Sequence, residues 1–231
     1  MDRMVQTPAS MPFFFLLLLL LPLLFGIIFI NIISISFAKL GFPPSFAFII
    51  LFGSLIGSFI NIPLKKVEST GDILTYKPSK YYGWFFPERV VERKTVTTVI
   101  AANFGGAVIP VLISCVLIVR FPEMIPSIII GTIVCTAVSY KCSKPVPGMG
   151  IAMPIFVAPV VSALVAIALA FVFGSMRTVV AYTCGVLGVL IGADLLNLDK
   201  IKKLGAPIAS IGGAGTFDGI FLTGILAVLL V

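Results

Sequence analysis

Histidine is absent from the chain, glutamine occurs once (Gln6), and charged residues make up only 11% of 231 positions. Without imidazole, His-based acid or base catalysis and His-ligated metal sites are excluded. The four cysteines, Cys115, Cys135, Cys142 and Cys184, show no CxxC-type spacing and lie in or at the edges of apolar segments. They read as small hydrophobes, so no disulfide framework, metal site or cofactor is expected. A Ser or Thr nucleophile would find no partner base other than Lys, and no Lys lies mid-segment. Gly212 to Gly215 lacks the Lys and the flanking strand that phosphate-binding and dinucleotide loops require.

What the chain does have is apolar length. Hydrophobic residues reach 59% and the mean hydropathy is +1.19, well outside the balance of a water-soluble domain. The expectation is one integral membrane domain over residues 1–231, all-α, a polytopic bundle in a lipid bilayer. With about 20 apolar residues per crossing, seven spans are expected: Pro12 to Ala38, Phe42 to Leu64, Val96 to Val119, Ile125 to Tyr140, Ile151 to Gly174, Thr178 to Leu198 and Ala206 to Val231. The fourth is the shortest. The first exceeds a signal-peptide core and reads as a retained span, although Ser36-Phe37-Ala38 resembles a cleavage triplet.

Charge sets the orientation. One side of a seven-span chain receives 13 of the 16 Lys and Arg, and the other holds only Lys39, Arg120 and Arg177. The positive-inside rule then places the N-terminus in the cytoplasm and the C-terminus outside, in a multi-pass protein of the cell membrane. The net charge of +7 is thereby a topology signal, and no nucleic-acid partner is expected. The connection 65–95 carries KYYGWFF, with Tyr81, Tyr82, Trp84, Phe85 and Phe86 beside Lys80 and Arg89; it reads as a cytoplasmic interfacial loop.

Short matches recur along the chain. FGSLIGS at Phe52 to Ser58 is echoed by LGVLIGA at Leu187 to Ala193, NFGGA at Asn103 by SIGGA at Ser210, and MPFF at Met11 by MPIF at Met153. Their common order points to parallel three-span repeats, 11–119 and 151–231, around the fourth span. The bland reading is close helix packing through small residues. In that alignment Asp194 stands opposite Phe59 and Asp218 opposite Val111, so the fold itself does not require either acid.

Asp194 and Asp218 are the two acids embedded within spans; Asp2, Glu68, Asp72, Glu88, Glu92, Glu123 and Asp199 lie in termini, connections or span ends. An ionised acid at mid-bilayer costs at least about 2.5–3.5 kcal/mol, which makes each a functional candidate. A regular helix from Ala206 would carry Asp218 about 18 Å inward, away from Asp194. Gly205, Pro207, Gly212, Gly213, Gly215 and Gly219 make a poor helix, however. If Gly205 to Gly215 is unwound, Asp218 sits in the first turn of a helix starting near Thr216, level with Asp194 and favoured by the helix dipole.

Gly185 to Leu226, with an acid near the inner end of span six, a Gly-rich entry and an acid opening span seven, resembles the intramembrane aspartyl proteases: presenilin, signal peptide peptidase and prepilin peptidase. The resemblance implies a catalytic pair, Asp194 and Asp218, acting on a transmembrane peptide. The family signature is GxGD, whereas this chain reads GAGTFD, and no PAL motif follows. As a whole the chain also resembles a prokaryotic family of multi-pass membrane proteins known only as a domain of unknown function. Around the pair, Gly212, Gly213, Gly215 and Gly219 would supply the flexible entry, Thr216 or Thr223 hydrogen bonds, and Asn197 an amide. Two other readings stand beside this one. A small-solute or ion-coupled transporter would use the same acids with Asn31, Asn61, Asn103 and Asn197, and a membrane scaffold would keep both acids protonated and bonded to neighbouring helices. The oligomeric state is open.

Overall fold

The computed structural model describes residues 10–79, 83–146, 150–201, 207–213 and 218–231. In chain order the elements are α1 (Ser10–Lys39), α2 (Pro44–Gly57), β1 (Asn61–Ser79), β2 (Gly83–Asn103), α3 (Ile109–Arg120), α4 (Ile125–Cys142), β3 (Lys144–Val146), β4 (Gly150–Ala152), α5 (Val157–Phe173), α6 (Arg177–Val189), α7 (Leu198–Ile201), β5 (Ile208–Ile211) and α8 (Gly219–Leu229). Five-residue π turns lead into α3 (Phe104–Val108) and out of α6 (Leu190–Asp194).

Three helical stretches are long and apolar enough to cross a membrane: Phe13–Lys39, Pro122–Cys142 and Arg177–Lys200. The fourth segment, expected to be the shortest, is among them. Pro44–Gly57, Phe104–Arg120, Val157–Phe173 and Gly219–Leu229 are apolar but shorter. The chain is thus mainly helical, with three candidate membrane-spanning helices.

It is not all helix. β1 and β2 pair antiparallel from Asn61↔Asn103 outward, and β2 pairs parallel with β5 from Val99↔Ile208 to Ala102↔Ile211. The inner parts of expected spans two, three and seven are therefore strands of one sheet, in the order β1-β2-β5. The β-branched run Val96-Thr97-Thr98-Val99-Ile100 explains the choice, because such side chains suit a pleated, half-buried surface. α2, at 14 residues, reaches only about 21 Å of a roughly 30 Å hydrocarbon core. Asn61 to Leu64 carries the chain onward at about 3.3 Å per residue. The connection 65–95 forms the outer arms of this hairpin. Lys80, Tyr81 and Tyr82 of the aromatic cluster lie outside the described residues. A strand also precedes Gly212, where none was expected.

α6 is the centre of the bundle. Val179 to Val186 is buried without interruption, and small residues let its neighbours come close. A Cβ at Gly185 would fall 2.9 Å from Thr223 of α8, and one at Gly188 2.4 Å from Cys135 of α4. Gly224 of α8 lies likewise against Tyr182. Among its described side chains α1 joins only through its second half, where Ile33 and Phe37 are buried, with buried Leu40 just past its end. There Ser36 Oγ donates to Ile225 O at 3.2 Å, and Lys39 Nζ donates to Val228 O and Leu229 O at 3.3 and 3.4 Å, satisfying carbonyls at the end of α8.

The recurring motifs have different partners in the two halves. FGSLIGS meets NFGGA: Gly57 faces Phe104 and Gly105, and Ser54 Oγ donates to Gly105 O at 2.7 Å. SIGGA meets the same NFGGA, since a Cβ at Gly212 would lie 2.6 Å from the Ala107 nitrogen. LGVLIGA instead lies on α4.

Candidate functional site

Asp218 occupies the N-cap of α8. Its backbone is extended (φ −71°, ψ 150°), and Oδ1 accepts a hydrogen bond from the Ile220 amide at 2.9 Å. That is the usual service of an Asp at a helix start, one orphan N–H satisfied and the carboxylate at the positive end of the dipole. The entry to α8 is non-helical at both described ends, with β5 running to Ile211 and Gly212 in the left-handed region at φ 72°. The expected start near Thr216 becomes a start at Gly219; Gly215 and Thr216 lie outside the described residues.

Asp194 closes the π turn at the end of α6. Gly219 brings the start of α8 against the same helix, since a Cβ there would stand 3.9 Å from Val189 Cγ1. Asp194 and Asp218, both half-buried, therefore lie at the same end of α6. A straight α8 from Ala206 would have separated them.

The remaining candidates sort by position. Gly212 packs on Gly106 and Ala107, and Gly213 lies over Ser210. Thr223 is buried, with its methyl group on Gly185, about a turn along α8 from Asp218. Asn197 is fully buried in the turn after Asp194. Among the described residues no group of three or more His, Cys, Asp or Glu is arranged to hold a metal ion.

Residues 55–230 match the model of the DUF1614 family, whose description is a protein of unknown function. The chain belongs to the DUF1614 family. Searches of the curated proteins and of the solved structures find no match. The stretch that carries the DUF1614 match includes Asp194, Asp218, the sheet and the helices around them, and leaves α1 outside.

Two features of this DUF1614 chain were missed in the sequence. The first is a polar clamp at the foot of the sheet: Asn103 Nδ2 donates to Ser58 O at 2.7 Å and to Asn61 Oδ1 at 3.2 Å, while its Oδ1 accepts from the Gly106 amide at 2.9 Å. Ser210 Oγ donates to Asn61 Oδ1 at 2.5 Å and adds β5 to the clamp. Asn followed by Phe-Gly-Gly before an apolar run is an N-cap signal that could have found it. The second is the approach of Cys135 Sγ to Cys184 Sγ at 3.8 Å, across α4 and α6, with both thiols free. No sequence spacing reveals that pair, because the two residues lie on different helices.

Proposed function

We propose that the protein is an intramembrane hydrolase of the aspartyl-dyad type, cutting peptide bonds in substrates that carry a single transmembrane segment. What supports this reading is the arrival of two acids at one end of α6: Asp194, closing the π turn after it, and Asp218, at the N-cap of α8, whose first residue packs on Val189. Two carboxyls so placed share a proton more readily than both ionise. The deprotonated member takes a proton from water as the water oxygen attacks the scissile carbonyl carbon. The protonated member hydrogen-bonds the carbonyl oxygen and transfers its proton as the tetrahedral diol forms. The first carboxyl then returns its proton to the amide nitrogen, a diol hydroxyl gives its proton back to the second carboxylate, the C–N bond breaks, and an acid and an amine leave with the starting protonation restored. With the basic connections in the cytoplasm, the reaction takes place in the inner half of the bilayer of the cell membrane.

The test is cleavage of a co-expressed single-span reporter in cells making the wild-type protein, Asp194→Ala or Asp218→Ala. Each variant is expected to abolish cleavage at equal protein level. Undiminished cleavage by either one sinks the reading.

A further inference from the structure

Between Leu190 and Asn197 the chain passes from α to π to 3-10 geometry, which alters the regular pairing of the backbone carbonyls there. One side chain collects two of them. Asn197 Nδ2 donates to Gly192 O at 3.1 Å and to Ala193 O at 2.9 Å, the two carbonyls just before Asp194. Asn197 is 0% exposed, and the Oδ1 of the same amide is buried with no hydrogen-bond partner among the described residues. On its other side the turn is stopped by α4: a Cβ at Gly192 would meet the Thr136 carbonyl oxygen at 2.4 Å and Ser139 Cβ at 2.9 Å. Asp194 thus leaves a turn held by the Asn197 amide and by the α4 backbone.

We propose that Asn197 is the positioning residue of the Asp194 carboxyl: its amide staples the two carbonyls ahead of Asp194 and so fixes where that carboxyl meets Asp218. This rests on the reading of the two acids as a pair. A primary amide fits the task because it offers two donors on one nitrogen, where a hydroxyl offers one and a carboxylate none. The groups around the turn are Asp218 from α8, Thr136 and Ser139 from α4, the strand Gly150–Ala152 without titratable side chains, and Asp199 and Lys200 further along the same segment, with Lys200 Nζ over the Tyr140 ring at 4.8 Å.

The experiment needs no substrate. A membrane-permeant carbodiimide modifies protonated carboxyls, and mass spectrometry of the full-length protein in liposomes follows Asp194 modification against pH. In the native background Asp218→Asn is expected to shift the midpoint for Asp194 by about one pH unit or more, as for any strongly interacting pair. In an Asn197→Ala background the same change is expected to shift it by less than about a third of that, the mark of lost coupling in a double-mutant cycle. Asn197→Gln, which keeps both donors, is expected to restore most of the shift. An equal shift with and without Asn197 overturns the proposal. No shift in the native background overturns the pairing of the acids itself, a different failure. Oxidative cross-linking of Cys135 to Cys184 reports whether α4 and α6 still pack in each variant. If Asn197→Ala loses that cross-link, Asn197→Ser is scored in its place by the same criterion.

Discussion

α1 and the segment that begins with α6 are both apolar and long enough to cross a membrane, and they are treated in opposite ways. None of the most apolar stretch of α1 is buried, against 67% of the corresponding stretch of the α6 segment. α1 is the richer in large hydrophobes, with Leu16 to Leu21 in one run, every one exposed. α6 carries Ala181, Thr183, Cys184, Gly185 and Gly188, and the π turn after it carries Gly192. Lipid is as apolar as leucine, so hydrophobicity decides which segment enters the bilayer while small size decides which is packed inside. The helix that holds Asp194 is the one the others close around.

That contrast can be broken by substitution, with stability read as thermal unfolding of the detergent-solubilised protein. The largest loss is expected at Tyr182, 1% exposed in the middle of α6 beside Phe37 at 6.4 Å, where Tyr182→Ala removes about 3–5 kcal/mol. A loss below about 1 kcal/mol would mean that α6 is not the packed centre. Gly192→Ala comes next, at about 1–3 kcal/mol, because the new methyl group meets the α4 backbone and one element must move. It is also expected to reduce reporter cleavage, since the displaced turn carries Asp194.

Asp218 separates a structural from a chemical role. Asp218→Ala is expected to cost about 1 kcal/mol by removing the N-cap, whereas Asp218→Asn keeps it and stays within about 0.5 kcal/mol. Both should abolish cleavage. Activity that survived in Asp218→Asn would reduce the residue to a cap. The smallest effect belongs to α1: Leu19→Ala, at a position 70% exposed, should change stability by less than about 0.5 kcal/mol. A larger loss would mean that this part of α1 has a protein neighbour.

Much of this architecture was legible as hydrophobic length. Every expected apolar segment contains a helix, and the described part of the entry to the last one is non-helical, as Gly212 and its neighbours implied. The strands were not legible in the same way, because an apolar run of Val, Thr and Ile fits a helix and a buried strand equally well by periodicity. Only the parallel pairing of Ala102 with Ile211, from remote parts of the chain, makes the strand the better solution for both. Asp194 and Asp218 could be picked out as embedded acids from one-dimensional reasoning. That both lie at one end of α6 could not, since it depends on the π turn at Leu190–Asp194 and on Gly219 meeting Val189, which are matters of packing. Asn197 could be named as an amide in the region, but its bonds to Gly192 and Ala193 follow from the shape of that turn.

The reach of β5 back to β2, and of α8 back to Ser36 and Lys39, has a bearing on when the site comes into being. A ribosome delivers Asp194 to the membrane before Asp218, and α8 docks only on elements already inserted. Until then the growing chain holds Asp194 without Asp218. A hydrolase of the proposed kind would therefore be inert among the nascent membrane proteins around it until α8 had docked.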